Sequence, residues 1–113
     1  EIDMYDVGKT GDINKAKSVA KVLAEELRTL GINVTYAPDA DVWTNPDNTV
    51  IGERSFGNDA TTVSNMSVAF NQSLEENEIM GCFKHFPGHG DTLADSHYSL
   101  PVVNKTYDDI KSL

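Results

Sequence analysis

One order recurs twice along this chain: an amphipathic helical stretch, a short apolar strand, then a long run without period. The first stretch opens at Asp12, a side chain suited to an N-cap. Ile13, Ala16, Val19, Ala20, Leu23, Ala24, Leu27 and Leu30 follow at three- and four-residue steps, one stripe of a 3.6-residue period. Gly31 stands where such a helix stops. Residues 32–37 are β-branched and aromatic and read as a strand ending at Pro38. Residues 38–58 show no period. Asp59 then opens a second helix with Val63, Met66, Phe70 and Leu74 on its inner face. Glu75, Glu76 and Glu78 suit a helix C-terminus poorly and read as a solvated exit. Residues 79–83 form a second short strand, and 84–104 are again irregular. Thr106 caps a last helix that runs to Leu113, with Asp108 and Asp109 in its first turn. Residues 1–11, with Gly8 and Gly11, read as a loop.

Helices alternating with strands imply βα units and a parallel sheet. Loops between such elements are normally short, so two long ones carry a functional expectation. Both follow strands and so lie at the carboxyl ends of the sheet, where α/β folds place their sites. Two strands with three helices make a thin core, because parallel strands need neighbours and covered faces. A complete eight-stranded barrel needs about 250 residues. The expectation is therefore a partial (β/α)8 TIM barrel segment: about two βα units with parallel strands and the start of a third helix. Its open sheet edges are expected to seek partners, giving oligomers. The chain begins at Glu1, and its true beginning is expected to lie elsewhere.

Charge narrows the partners. Eighteen acidic residues face nine basic ones, for a net charge of -9. Such a surface repels phosphates and anionic lipid, so nucleic acid is a poor partner. No apolar run is long enough to span a bilayer. The one cysteine, Cys82, allows no intrachain disulfide, which fits a reducing compartment and equally an exported bacterial protein.

The second irregular run concentrates the chemistry. It reads Lys84-His85-Phe86-Pro87-Gly88-His89-Gly90-Asp91-Thr92-Leu93-Ala94-Asp95-Ser96-His97 and holds all three histidines of the chain. Histidine and aspartate beside glycines at a strand exit suit a catalytic or metal loop. Three readings stand side by side. The loop is a polar surface with incidental histidines, or a metal site built from His85, His89, Asp91, Asp95 and His97, or an acid/base pair. The metal spacing matches no common zinc pattern. Asp95 and His97 are two apart, so a turn can seat the carboxylate on one ring nitrogen and leave the other for proton transfer.

The stretch from Lys84 to Pro101, KHFPGHGDTLADSHYSLP, resembles the KH(F/I)PGHGDTxxDSHxxLP signature of glycoside hydrolase family 3 β-N-acetylhexosaminidases of the peptidoglycan-recycling type. A second block runs from Gly31 through Ala37-Pro38, Asp41-Val42, Asn45-Pro46 and Ile51-Gly52-Glu53-Arg54-Ser55-Phe56-Gly57. It resembles that family's GINxxxAPxxDVxxNPxNPVIGxRSFG. The resemblance runs over residues 15–110. It implies a retaining glycosidase that removes terminal β-linked N-acetylglucosamine from peptidoglycan or chitin-type saccharides, with no cofactor and no metal. It implies His97 as general acid/base with Asp95 as its dyad partner. Arg54, Lys84 and His85 would bind the N-acetylglucosamine ring, and Asp91, Gly88 and Gly90 would shape the loop. His89 is expected to pack the loop, and Asp39 and Asp41 to cap and brace it. Trp43 is either a sugar-stacking platform or a loop anchor. The family nucleophile is a later aspartate, so the 113-residue chain alone is expected to be inactive. The alternative of another class is a metal-binding or noncatalytic carbohydrate-binding module.

Overall fold

The structure, a computed structural model, describes residues 2–112. Its elements are α1 (Met4–Lys9), α2 (Ile13–Thr29), β1 (Val34–Thr35), a 3-10 turn (Gly52–Arg54), α3 (Ala60–Glu76), β2 (Met80–Gly81) and α4 (Tyr107–Lys111). Strands β1 and β2 pair in parallel, Val34 with Met80 and Thr35 with Gly81. A single parallel bridge between Asp39 and Lys84 carries that pairing to the start of both loops. Two βα units with parallel strands are thus present, as the alternation of helix and strand implies, although each regular strand is only two residues long.

The α2 stripe divides by size. Ala16, Ala20 and Ala24 are fully buried, whereas Ile13 and Leu30 at its ends are exposed. Alanines at four-residue spacing let the α3 backbone come close, and the Ser73 hydroxyl reaches across to donate to the Lys17 carbonyl at 2.7 Å. The facing residues of α3 are Val63, Met66, Phe70 and Leu74, all buried. Val19, Leu23 and Leu27 flank the seam half-covered. The N-caps at Asp12, Asp59 and Thr106 each accept from a backbone N–H of the following helix, and Thr106 and Asp109 form a full capping box.

Two expectations are corrected. Residues 4–9 are a helix, not a loop. Asp3 caps it, Val7 is buried, and Gly8 lets α1 lie against the Phe56 carbonyl, where any side chain would collide. The sequence hides this helix because it is short and buries only Val7 and Gly8. Glu75 and Glu76 belong to α3 rather than to an exit loop. Leu113 lies outside the described residues.

Both long helices end in the same way. In α2, Gly31 N–H bonds the Arg28 carbonyl at 2.9 Å and Ile32 N–H bonds the Leu27 carbonyl at 2.9 Å, a Schellman closure. In α3, Glu78 N–H reaches Glu75 and Ile79 N–H reaches Leu74, with Ile79 buried on Leu74. Glu78 fills the glycine position at φ 63°, and its carboxylate meets Arg28 at 2.7 Å. That backbone costs an L-residue about 1–2 kcal/mol, while so exposed an ion pair is worth roughly 0–1 kcal/mol. Glu78→Gly should therefore raise unfolding stability by roughly 0.5 kcal/mol after the entropy of glycine is counted. A shifted urea midpoint would show it, and a loss of stability would refute this reading of the helix end.

Candidate functional site

Residues 38–58 and 84–104 form one body of laced loops. Lys84 N–H donates to the Pro38 carbonyl at 3.2 Å and Ala40 N–H donates to the Lys84 carbonyl at 2.6 Å. Asn45 N–H bonds the Gly90 carbonyl at 3.2 Å. Buried Asn48 donates to the His89 carbonyl at 2.6 Å, while its own side-chain oxygen accepts from Val50 and Ile51 N–H. Ser55, also buried, donates to the Asp41 carbonyl at 2.6 Å. Buried polar groups are costly unless paired, and here the pairing itself joins the loops.

Asp41 is the hub of this body. Its side chain is wholly buried. One carboxylate oxygen accepts from His89 N–H at 2.6 Å. The other accepts from His85 N–H at 3.3 Å and lies 2.6 Å from His85 Nδ1. A carboxylate only accepts, so the proton of that last contact sits on Nδ1 and Nε2 keeps its lone pair or carries a second proton. Asp41 thereby fixes the His85 ring and the turn at His89 together. The Lys84–His85 and Phe86–Pro87 peptide bonds are both cis.

Each residue singled out in the sequence has a definite place. His97 Nδ1 lies 2.7 Å from Asp95 Oδ1, and His97 N–H donates to that same oxygen at 2.9 Å. The backbone hydrogen bond from His97, then the one from its ring, holds the Asp95 carboxyl below its ordinary range. The His97 side chain is 80% exposed, so it presents its outer nitrogen to solvent. Asp91 has two partners: Thr44 donates to it at 2.6 Å and Lys105 pairs with it at 2.7 Å, and Lys105 first, then Thr44, lowers its carboxyl. Gly88 adopts φ 129°, a conformation that side chains rarely tolerate, and at Gly90 a Cβ would strike the Val42 carbonyl. His89 is buried, with Nδ1 2.8 Å from the Thr92 hydroxyl. Arg54 donates to the Val50 carbonyl at 2.8 Å and faces Asp39 Oδ2 at 3.8 Å. Arg54, Lys84 and Asp39 share one open cleft of about 660 Å³ with Asp3, Pro38 and Glu53. Trp43 packs edge-on against Tyr5, with ring centroids 5.3 Å apart, which makes it a loop anchor to α1.

The structure does not gather the five residues of the metal reading. Asp91 is held by Lys105, and Asp95 and His97 pair with each other. The donor atoms that do converge belong to Asp39, Asp41 and His85, within 4.8 Å of one another. A cation there would have to displace the Nδ1 proton that Asp41 binds and to sit beside the Arg54 guanidinium. That donor set fits an internal hydrogen-bonded network better than a metal centre.

Asp39 carries the largest electrostatic strain of the site. Burial, the main cause, pushes its carboxyl up to about 6, with the neighbouring Asp41 adding to the rise. Oδ1 accepts from Asp41 N–H at 3.0 Å, but Oδ2 is buried without a hydrogen-bond partner among the described residues.

The family model for the glycosyl hydrolase family 3 N terminal domain matches residues 3–113. The chain belongs to glycosyl hydrolase family 3. Among its relatives, β-hexosaminidase A of Pseudoalteromonas piscicida is 46% identical over 102 residues, which is 90% of this chain and 17% of that protein. A family 3 β-N-acetylglucosaminidase from a Paenibacillus species superposes with a TM-score of 0.92 at 38% identity, over 96% of this chain and 21% of the other. NagZ from Neisseria gonorrhoeae, solved in complex with N-trifluoroacetyl-D-glucosamine, superposes at 0.87 with 32% identity, over 97% of this chain and 34% of its own. The chain therefore spans between a sixth and a third of the length of these family 3 proteins. Its fold is that of the matching part of their barrel domain.

Asp41 does more than cap and brace, which was its sequence reading. Its place in the DV pair of the motif marked it, but only the contact with His85, 44 residues away, shows what it does. Asp39 yields a pH test. Its folded carboxyl is raised from 3.8 to about 6, so its stabilising contribution is complete below pH 3.8 and is lost as pH rises through 6. Asp39→Asn should remove that loss. Relative to the parent, the variant should gain stability between pH 4 and pH 7 in urea unfolding. An offset that stays constant with pH would contradict the assigned strain.

Proposed function

We propose that this chain is part of a retaining glycosidase that removes terminal β-linked N-acetylglucosamine from peptidoglycan or chitin-type saccharides. The observation that carries the reading is the His97–Asp95 contact of 2.7 Å on an exposed loop. The relatives named for β-hexosaminidase and β-N-acetylglucosaminidase support the substrate class.

In this reading Asp95 stays ionised and accepts from Nδ1, which fixes the His97 tautomer. With His97 protonated on both nitrogens, Nε2–H then gives its proton to the leaving glycosidic oxygen and leaves a neutral imidazole protonated at Nδ1. In the second step it takes one from the water that cleaves the glycosyl-enzyme, as microscopic reversibility requires. Retaining enzymes usually employ two carboxyl groups. A neutral imidazole in place of one would not repel an anionic nucleophile nearby. The nucleophile of this reading is an aspartate on a later strand than the residues described.

Arg54, Lys84 and His85 are the proposed ring-binding groups. In support, Arg54 and Lys84 line one cleft, and the hydrogen bond that His85 Nδ1 donates to Asp41 fixes the His85 ring. Asp91, Gly88 and Gly90 hold the loop in shape around them. The acidic net charge is compatible with a neutral saccharide.

The test is hydrolysis of a chromogenic N-acetyl-β-glucosaminide by the complete protein carrying these residues. His97→Glu should fold normally and lower turnover by roughly 10²- to 10⁴-fold, the usual worth of general acid–base catalysis. Turnover equal to that of the unmodified protein would refute the assignment.

A further inference from the structure

Resting on the saccharide-binding reading of Arg54, we propose that Asp39 is the positioning residue that holds the Arg54 guanidinium toward the cleft. Three observations lead there. Asp39 Oδ2 is buried with no hydrogen-bond partner among the described residues, and the Asp39 side chain is only 4% exposed. An acceptor left so is unfavourable, and a group kept in that state has a use beyond stability. Among the described residues the nearest cation facing that oxygen is Arg54, whose Nη2 stands 3.8 Å away, outside hydrogen-bond range but within ion-pair range. Among the described residues, Arg54 is otherwise tethered only at Nη1, to the Val50 carbonyl at 2.8 Å, and its side chain is 46% exposed.

The geometry explains why a carboxylate is needed here. A guanidinium held at one nitrogen can swing about that bond, since the arginine side chain is long and flexible. A second, charged contact on Nη2 removes that freedom and leaves the remaining N–H groups for a ligand. Asp41 cannot supply the contact, because its oxygens are taken by His85 and His89. Asp39 is the carboxylate of the same loop that stands within ion-pair range of Arg54, and its Oδ1 is anchored on Asp41 N–H at 3.0 Å. Asp39 thus connects the Asp41–His85 hub to Arg54, and preorganises a substrate-binding side chain without touching substrate itself.

Other charges bear on Asp39. Asp41 lies on its own loop and Arg54 on the 3-10 turn. His85 Nδ1, from the second loop, is 3.9 Å from Asp39 Oδ2. Lys84, Glu53 and Asp3 line the same cleft. With burial as the main cause of its raised carboxyl, Asp39 holds Arg54 as an anion above about pH 6 and releases it as pH falls below that value.

The test uses the complete protein. Asp39→Asn keeps the side-chain shape and the acceptor for Asp41 N–H but removes the charge. It should raise KM for the N-acetyl-β-glucosaminide roughly two- to fivefold, the scale of a partly exposed ion pair. It should leave kcat within about twofold, the pattern of lost ground-state positioning. In an Arg54→Ala background the same substitution should have no further effect on KM. The rise in KM on going below pH 6 should be present in the unmodified protein and absent from Asp39→Asn. An unchanged KM in Asp39→Asn, or an equal effect with and without Arg54, would overturn the proposal, because a merely structural role is indifferent to Arg54. A second measurement is independent of activity. Relaxation of the Arg54 Nε–H group by NMR should show an ordered guanidinium at pH 7.5 that becomes mobile in Asp39→Asn. Equal order in both proteins overturns the proposal even if the substrate reading fails, and a lost order upholds it.

Discussion

The Asp41 carboxylate is the contact on which the rest of the site depends. It is buried, and it accepts from two backbone N–H groups and one imidazole of the second loop. Charged hydrogen bonds of this kind are roughly twice as strong as neutral ones. They stand in place of the regular structure that these residues lack. With strands only two residues long, the parallel pairing alone could not hold loops of this size. Ser55 and Asn48 extend the same solution by bonding the backbone from inside.

From that hub the functional groups radiate by distinct routes. His85 is fixed directly, through Nδ1. Arg54 is approached through Asp39, whose Oδ1 accepts from the Asp41 N–H. The His97–Asp95 pair is built differently. It is a local turn in which one carboxylate oxygen takes both the backbone and the ring N–H of the same residue. The pair is exposed, and its orientation relies on the loop behind it. Asp91, bound to Thr44 and Lys105, fastens that loop to the first one.

Much of this was legible in the sequence, for identifiable reasons. The two long helices announce themselves through caps and period; α3 buries its predicted face, whereas α2 fully buries only the alanines of its stripe. The short strands were overestimated in length, since a β-branched run such as residues 32–37 gives the propensity but not the partners that turn it into sheet. Helix α1 escaped because only Val7 and Gly8 are buried in it. The identities of the loop residues were readable from their motifs. Asp95 and His97 also show their pairing, being two apart. The Asp41–His85 contact spans 44 residues and the strained Asp39 arises from burial, and neither spacing nor composition carries that information. The end of α3 at Glu78 is a similar case, where Ile79 burying on Leu74 holds an unfavourable backbone that local preference alone would not choose.

The central claim is that His97 delivers a proton to a glycosidic oxygen. The most direct measurement is the leaving-group dependence of turnover, comparing the complete protein with its His97→Ala variant on aryl N-acetyl-β-glucosaminides. The account predicts that the variant cleaves activated aryl groups at close to the normal first-step rate. It predicts a steep loss as the leaving phenol becomes more basic and needs the proton. A loss of the same size for every leaving group would contradict it, and would assign His97 to binding or to the structure of the loop.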